Sequence, residues 1–354
     1  MRRWVGLTLA LFCVPLAIGV GTRADWPPPT LRETGLYADW GSKRVDPTIV
    51  RFSPQYPLWS DGAAKTRWMQ LPPGSSIDAS NPDVWQFPVG ARFWKEFTFH
   101  QRRTETRLIE RTADGWQYAT YEWAEDEREA TLVGERGAIS RAVIRGTLKH
   151  VIPSRTDCRS CHEGSSSRIL GFSALQLSAD RDPNAPHAEP LPDGAVTLRT
   201  LIDRGLVRGL PAHLADGAPR IDARSATARA ALGYLHGNCA NCHTAAGELA
   251  SLAFSLQYPV AAPVKPHPPA LLTTVGVSST FVPGTWEAPA ERVRIGDPDR
   301  SVLVARLASR NPAVQMPPVG SRIVDEAALT LIRRWIAEDA AIQSFASTSK
   351  EEKK

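Results

Sequence analysis

Two short segments of this chain repeat one five-residue pattern, Cys158-Arg-Ser-Cys161-His162 and Cys239-Ala-Asn-Cys242-His243. C-x-x-C-H is the attachment pattern of c-type haem: two thiols add to the vinyl groups of the porphyrin and the adjacent imidazole ligates the iron from one face. No other feature constrains the fold as much, because each copy must form a wall against which a large flat ring lies. A zinc ribbon also uses C-x-x-C pairs, but about 15–20 residues apart. Here 77 residues separate Cys161 from Cys239, and both pairs carry the trailing His. A redox-active dithiol needs no such His and usually sits in a βαβ pattern. Both copies therefore read as haem sites, with two covalently bound haems as cofactors and His162 and His243 as iron ligands.

The chain has 354 residues and five cysteines, and the fifth, Cys13, lies in an N-terminal apolar run. Arg2 and Arg3 precede uncharged residues from Trp4 to Val20, and Thr22-Arg23-Ala24 offers small residues at a cleavage site. This is the pattern of a secretory signal. A run of 17 residues is at the bottom of the range for a membrane span, and no basic cluster follows it. Phe12 is too large for a lipoprotein cleavage box. Residues 1–24 are expected to be removed, which makes the mature chain periplasmic or otherwise exported. The net charge of +5 and the pI of 9.0 invite a nucleic-acid reading. Without Arg2, Arg3 and Arg23 the charge falls to +2, there is no basic block, and haem propionates bring the whole near neutral. No nucleic-acid partner is expected.

Residues 223–345 carry a helical order. Ser225 is a plausible cap for a helix to His236, with Ala228, Ala231, Leu232 and Leu235 on one stripe. It runs into the second motif. Asp299 or Ser301 starts a short helix, and a last long helix begins near Asp325 with Leu329, Ile332, Trp335 and Ile336 at helical spacing. Between these two lies Met316-Pro-Pro. Methionine is rare here (Met1, Met69, Met316), and two prolines stiffen the loop that would present its thioether. This stretch resembles the cytochrome c superfamily, which implies an all-α cytochrome c-type region with Met316 as the second axial ligand of the second haem. Residues 257–286, rich in Pro, read as an inserted surface loop.

The first site differs. Gly146 to Ile152 reads as a strand stopped by Pro153, and no helix precedes Cys158. A helix is expected at Thr197–Arg204. No Met lies between His162 and Cys239. A second axial ligand for this haem must be one of His100, His150, His187, His213, His236, His267 and Met69, or be missing, which would leave an open site for a small molecule.

Residues 25–150 read as β-rich, and a β-sandwich-like domain is expected. Thr104–Arg111 and Trp116–Trp123 alternate around Thr112-Ala-Asp-Gly115, a hairpin signal. Trp68–Leu71, Trp85–Phe87 and Phe93–Phe99 read as further strands, and the Trp-rich composition of this part as core. The acidic run Glu122–Glu129 reads as a solvated turn. The expected order is thus signal peptide 1–24, β-rich domain 25–150, first haem segment 151–222, cytochrome c domain 223–345 and a disordered tail 346–354, an α+β multidomain chain.

The stretches Pro57-Leu-Trp-Ser-Asp-Gly62, Leu71-Pro-Pro-Gly74, Phe87-Pro-Val-Gly90, Lys95-Glu-Phe97, Glu105-Thr-Arg107, Ile152-Pro-Ser154, Leu170-Gly-Phe172, Tyr234-Leu235 with Asn238-Cys239-Ala, and Met316-Pro-Pro run over nearly the whole mature chain. Together the arrangement resembles an uncharacterised family of bacterial dihaem c-type cytochromes, with a β domain followed by a cytochrome c domain. The resemblance implies exported electron transfer to and from redox partner proteins. It names no substrate. The alternative is a peroxidase-like dihaem oxidoreductase with an open first haem. No P-loop, G-x-S-x-G, H-E-x-x-H or dinucleotide fingerprint occurs.

Overall fold

The computed structural model describes residues 26–164, 167–261, 267–284 and 286–338. The signal peptide expected at 1–24 and the tail expected at 346–354 lie outside the described residues. The chain opens with β1 (Tyr37–Asp39), β2 (Arg44–Val45), β3 (Val50–Phe52), β4 (Ala64–Gln70) and β5 (Ile77–Asp78). Then come β6 (Arg92–Phe99), β7 (Arg102–Thr112), β8 (Gly115–Trp123), β9 (Ala130–Leu132), β10 (Ala138–Arg145) and β11 (Leu148–Ile152). The first two helices are α1 (Arg155–Glu163) and α2 (Leu198–Asp203), followed by β12 (Val207–Arg208). The rest are α3 (Ala212–Asp216), α4 (Ala226–Asn238), α5 (Pro269–Leu272), α6 (Val302–Leu307) and α7 (Glu326–Glu338).

Alternation with a period of two sorts the residues of the main sheet. Six strands pair antiparallel in the order β3-β4-β6-β7-β8-β9. The expected hairpin is β7–β8, closed by Thr112 opposite Gly115. Trp68, Trp94, Leu108 and Ala119 form one row across four strands. They face a core of their own with Leu31, Leu36, Tyr121 and Trp123. The other face starts with Met69, Phe93, Ile109 and Tyr118, also directly opposite one another. Met69 and Phe93 belong to the main core, which continues through Phe172 and Leu232 to Trp335 and Ile336.

This corrects the expected fold class in two places. The first part is a single six-stranded sheet with separate ribbons β1–β2 and β10–β11, not a β-sandwich. Its second face is covered by later chain, including Ile169, Phe172 and Leu175, where a sandwich would place a second sheet. The C-terminal part is not an all-α cytochrome c-type region either. Among the described residues the chain has twelve strands and seven short helices. Between α4 and α6 the backbone is mostly irregular, with isolated bridges such as Val275–Val293 and Ser278–Glu291. Pro259, Pro268, Pro269, Pro283 and Pro289 punctuate that stretch and prevent a long helix. The helices share the core with the sheet rather than enclosing one of their own.

Helix α4 shows why. Its N-cap Ser225 accepts from Ala228 N, as expected, but burial runs all round it, including Ala230, Gly233, Tyr234 and Gly237 beside the expected stripe. It is a central helix. The Tyr56 ring lies so close to Gly233 that a Cβ there would overlap it, and Gly237 meets the Tyr56 backbone in the same way. Helix α7 packs against α4 and buries Ala328, Ile332, Trp335 and Ile336, one face at helical spacing.

Gly233→Ala should therefore lower the urea and thermal unfolding midpoints. Overpacking costs ~1–3 kcal/mol, against up to ~1 kcal/mol gained in helix propensity. An unchanged midpoint would show that Tyr56 yields without cost.

Candidate functional site

Pro153 stops β11, and Ser154 starts α1 through a capping box. Its hydroxyl accepts from Asp157 N at 3.1 Å, and the Asp157 carboxylate accepts from Ser154 N at 2.9 Å. The expected strand does end at Ile152, but the first C-x-x-C-H lies on α1, which begins at Arg155, ahead of Cys158, where no helix was expected. The second starts where α4 ends: Cys239 is the C-cap, and His243 N donates to Cys239 O at 2.9 Å. The two motifs come side by side. A Cβ on Gly247 would overlap the Gly164 carbonyl, so the loop after the second motif passes against the end of α1.

Each motif lines its own cavity. Cys239, Cys242 and His243 share one of about 240 Å³ with Met316. Cys158, Cys161 and His162 share another of about 310 Å³ with Phe93, Ile109 and Tyr118 from the sheet. Leu58, Trp59, Asn238, Cys242, Pro317 and Pro318 line both, so the cavities adjoin through a common wall. The Met316 loop is held by Met316 N donating to Arg306 O at 3.0 Å and by Gln315 Nε2 donating to Pro317 O at 3.1 Å. Trp59 is fixed twice: its backbone N donates to Asn238 Oδ1 at 2.7 Å and its ring N–H to Ile323 O at 3.2 Å.

The donor set suits covalent haem. His162 Nδ1 lies 2.6 Å from Arg168 O. A carbonyl only accepts, so Nδ1 carries the proton and Nε2 keeps its lone pair, the outer-shell arrangement common to iron-binding imidazoles. Burial, with Lys95 and Arg107 nearby, pushes His162 down to about 4. Burial, then Arg306 and Arg292, pushes His243 down to about 4 as well. Both rings are neutral near pH 7, as a ligand must be. His243 Nδ1 is buried without a hydrogen-bond partner, and the ring packs 4.5 Å from Phe254. The four motif cysteines are free thiols. Burial, then Cys242, raises Cys161 to about 11, and burial, then Cys242, raises Cys239 to about 12. They stay protonated, the form that supplies both S and H to a vinyl double bond. Among the described residues no group of three or more His, Cys, Asp or Glu converges to hold a metal ion.

Of the seven candidates for the first haem's second ligand, only His150 lines its cavity. His150 Nε2 already faces Glu105 Oε1 at 3.1 Å, and Nδ1 is buried and unpartnered. His100 is exposed at the β6–β7 turn, and its Nε2 faces Val143 O. Met69 is in the core of the sheet. His187 pairs with Asp325 at 2.8 Å and packs on Trp59. His236 accepts from Tyr258 N through Nδ1. His213 is exposed on α3, and His267 is half-buried outside both cavities. Sequence reasoning missed Trp59 as the common wall and the residues Arg67, Lys95 and Arg107, which also line the first cavity. Strand register brings those cations together, and no single stretch of sequence displays it. No family model, curated protein or solved structure matches the chain.

Glu105 anchors the charge beside this cavity. Its side chain is fully buried, with Arg107 and His150 on it. Burial alone would raise its pKa; Arg107 and then His150 outweigh that and hold it at about 2, down from 4.5. A folded value below the unfolded one contributes stability above about pH 4.5, lost as pH falls from there toward 2. Glu105→Gln should flatten that acid limb in urea titrations and cost ~3–5 kcal/mol at pH 7, because Arg107 loses its buried counter-charge.

Proposed function

We propose that this chain is an exported dihaem electron carrier, c-type in the sense of covalent attachment and not of an all-α fold. The observation that carries the reading is the pair of C-x-x-C-H segments lining two adjoining cavities with one shared wall. Cys158 and Cys161 would hold one haem and Cys239 and Cys242 the other, with His162 and His243 as axial ligands and Met316 as the second ligand of the latter. Bound haem supplies one-electron iron chemistry, and a His/Met pair raises the reduction potential.

The chain's own residues bind, orient and exclude water. Arg168 O orients His162, and Phe254 packs on His243. The cis-proline loop after Gln315 presents Met316. Leu58, Trp59, Pro317 and Pro318 seal the wall between the two sites. Nearness of the two sites supports a carrier, since electrons need a short path between centres and then a partner protein at the surface. Export rests on residues 1–24 and on the site of haem attachment outside the cytoplasm. Among the described residues no helix is long and apolar enough to cross a membrane. The resemblance to bacterial dihaem cytochromes stands on its quoted motifs.

Protein made in a host that matures c-type cytochromes should give two haems per chain in a pyridine haemochrome assay. Cys158→Ala with Cys161→Ala should leave one, as should Cys239→Ala with Cys242→Ala. A wild-type count below two refutes the dihaem reading. Met316→Ala should lower the potential of one haem only and open it to carbon monoxide. If the unaltered first haem already binds carbon monoxide or cyanide, the peroxidase-like alternative replaces the carrier.

A further inference from the structure

The register of the sheet sets three cations in a row. Arg67 on β4 lies directly opposite Lys95 on β6, and Lys95 directly opposite Arg107 on β7. All three line the cavity of the first motif. Like charges directly opposite on neighbouring strands repel, and unpaired buried charges are costly. Two of the three have counter-charges: Arg67 Nη1 meets Glu189 at 2.9 Å, and Arg107 meets Glu105. Arg67 Nη2 is still buried without a partner. Lys95 has no hydrogen bond or ion pair among the described residues. Its Nζ lies 4.9 Å from the Phe97 ring, on which the Arg107 guanidinium also stacks at 4.2 Å. Lys65, two residues from Arg67 on the same face of β4, is buried, and like the half-buried Lys95 it is unpaired among the described residues. Of these four cations Arg67, Lys95 and Arg107 line the cavity together with His162, Cys158 and Cys161. The second cavity is lined by Arg292 and Arg306 but has no such cross-strand row.

We propose that Arg67, Lys95 and Arg107 form a carboxylate site that receives the propionate groups of the first haem. This rests on the dihaem reading and deepens it. Carboxylate is the class that fits: a planar guanidinium takes two oxygens side by side, while an ammonium adds a point charge. A haem held through thioethers at α1 would bring its own carboxylates into the cavity that these cations line. The row then holds a cofactor edge and raises the potential of that haem, because cations near the propionates favour the reduced, less positive iron.

The test uses holoprotein with its haem count measured first, so that a count below two sinks the dihaem reading and a count of two isolates the present one. Redox titration of Lys95→Leu should shift the first haem to lower potential, leave the second in place as internal reference and keep both haems low-spin. Lys95→Arg should restore the value, and Lys149→Leu, at an exposed lysine, should leave both unchanged. If Lys95→Leu does not accumulate, Lys95→Gln should show the same downward shift. An unchanged potential in the neutral variant overturns the proposal. So does a first haem turned high-spin and open to carbon monoxide, which would make the Lys95 amine an iron ligand. A wild-type spectrum that titrates with added formate or acetate overturns it too, since the row would then be open to free anions.

Discussion

The contact between Tyr56 and the bare side of α4 is what the rest of the structure depends on. Gly233 and Gly237 leave a strip on the helix with no side chain, and Tyr56 fills it with its ring and backbone. The segment that follows is then pinned residue by residue. Asn238 receives Trp59 N and donates to Pro57 O. Asp61 accepts from Arg322 N and Ile323 N at 2.7 and 2.8 Å. A chain segment from the sheet side therefore lies between α4 and the loop that carries Met316. Leu58 and Trp59, on that segment, become the wall common to the two cavities. Without a close approach at α4 the two motifs would not share a boundary.

The two cavities differ because different elements build them. The second is enclosed by α4, α6 and irregular chain, which supply Leu256, Phe254, Val302 and Leu307 along with the Met316 thioether. The first backs onto a sheet. A sheet presents its residues in straight cross-strand rows, so one apolar row of Met69, Phe93 and Ile109 is followed two residues on, on the same face, by a charged row of Arg67, Lys95 and Arg107. Glu105 and Glu189 offset part of that charge from the same wall and from a distant loop. A cross-strand row of three cations on one side, and a thioether with Arg292 and Arg306 on the other, are unlike environments for two copies of one motif.

Much of the local structure was legible in the sequence. The β7–β8 hairpin follows from alternation around Thr112-Ala-Asp-Gly115, the stop of β11 from Pro153, the helix α2 from the stretch Thr197–Arg204, the cap of α4 from Ser225, and the buried face of α7 from Ile332, Trp335 and Ile336. The layers were not legible. Alternating strands look alike whether their second face meets another sheet or, as here, Phe172 and its neighbours. The small residues of α4 hid a helix buried on all sides behind an apparent single stripe, because Gly233 and Gly237 carry no hydrophobic signal yet make the tightest contact. Helices placed correctly one by one suggested an all-α region that does not form.

By itself the sequence determined the chemistry available: four thiols, two trailing imidazoles and one thioether between prolines, since covalent pattern and residue scarcity need no fold to be read. Tertiary structure alone decided which of these meet and what surrounds them. It set the two motifs side by side, brought Met316 and His243 into the lining of one cavity, left six of seven other ligand candidates outside the first cavity and lined that cavity with Arg67, Lys95 and Arg107. The reason is physical: a motif acts through neighbours bonded along the chain, whereas a cavity is made by strand register and helix packing between residues far apart in sequence.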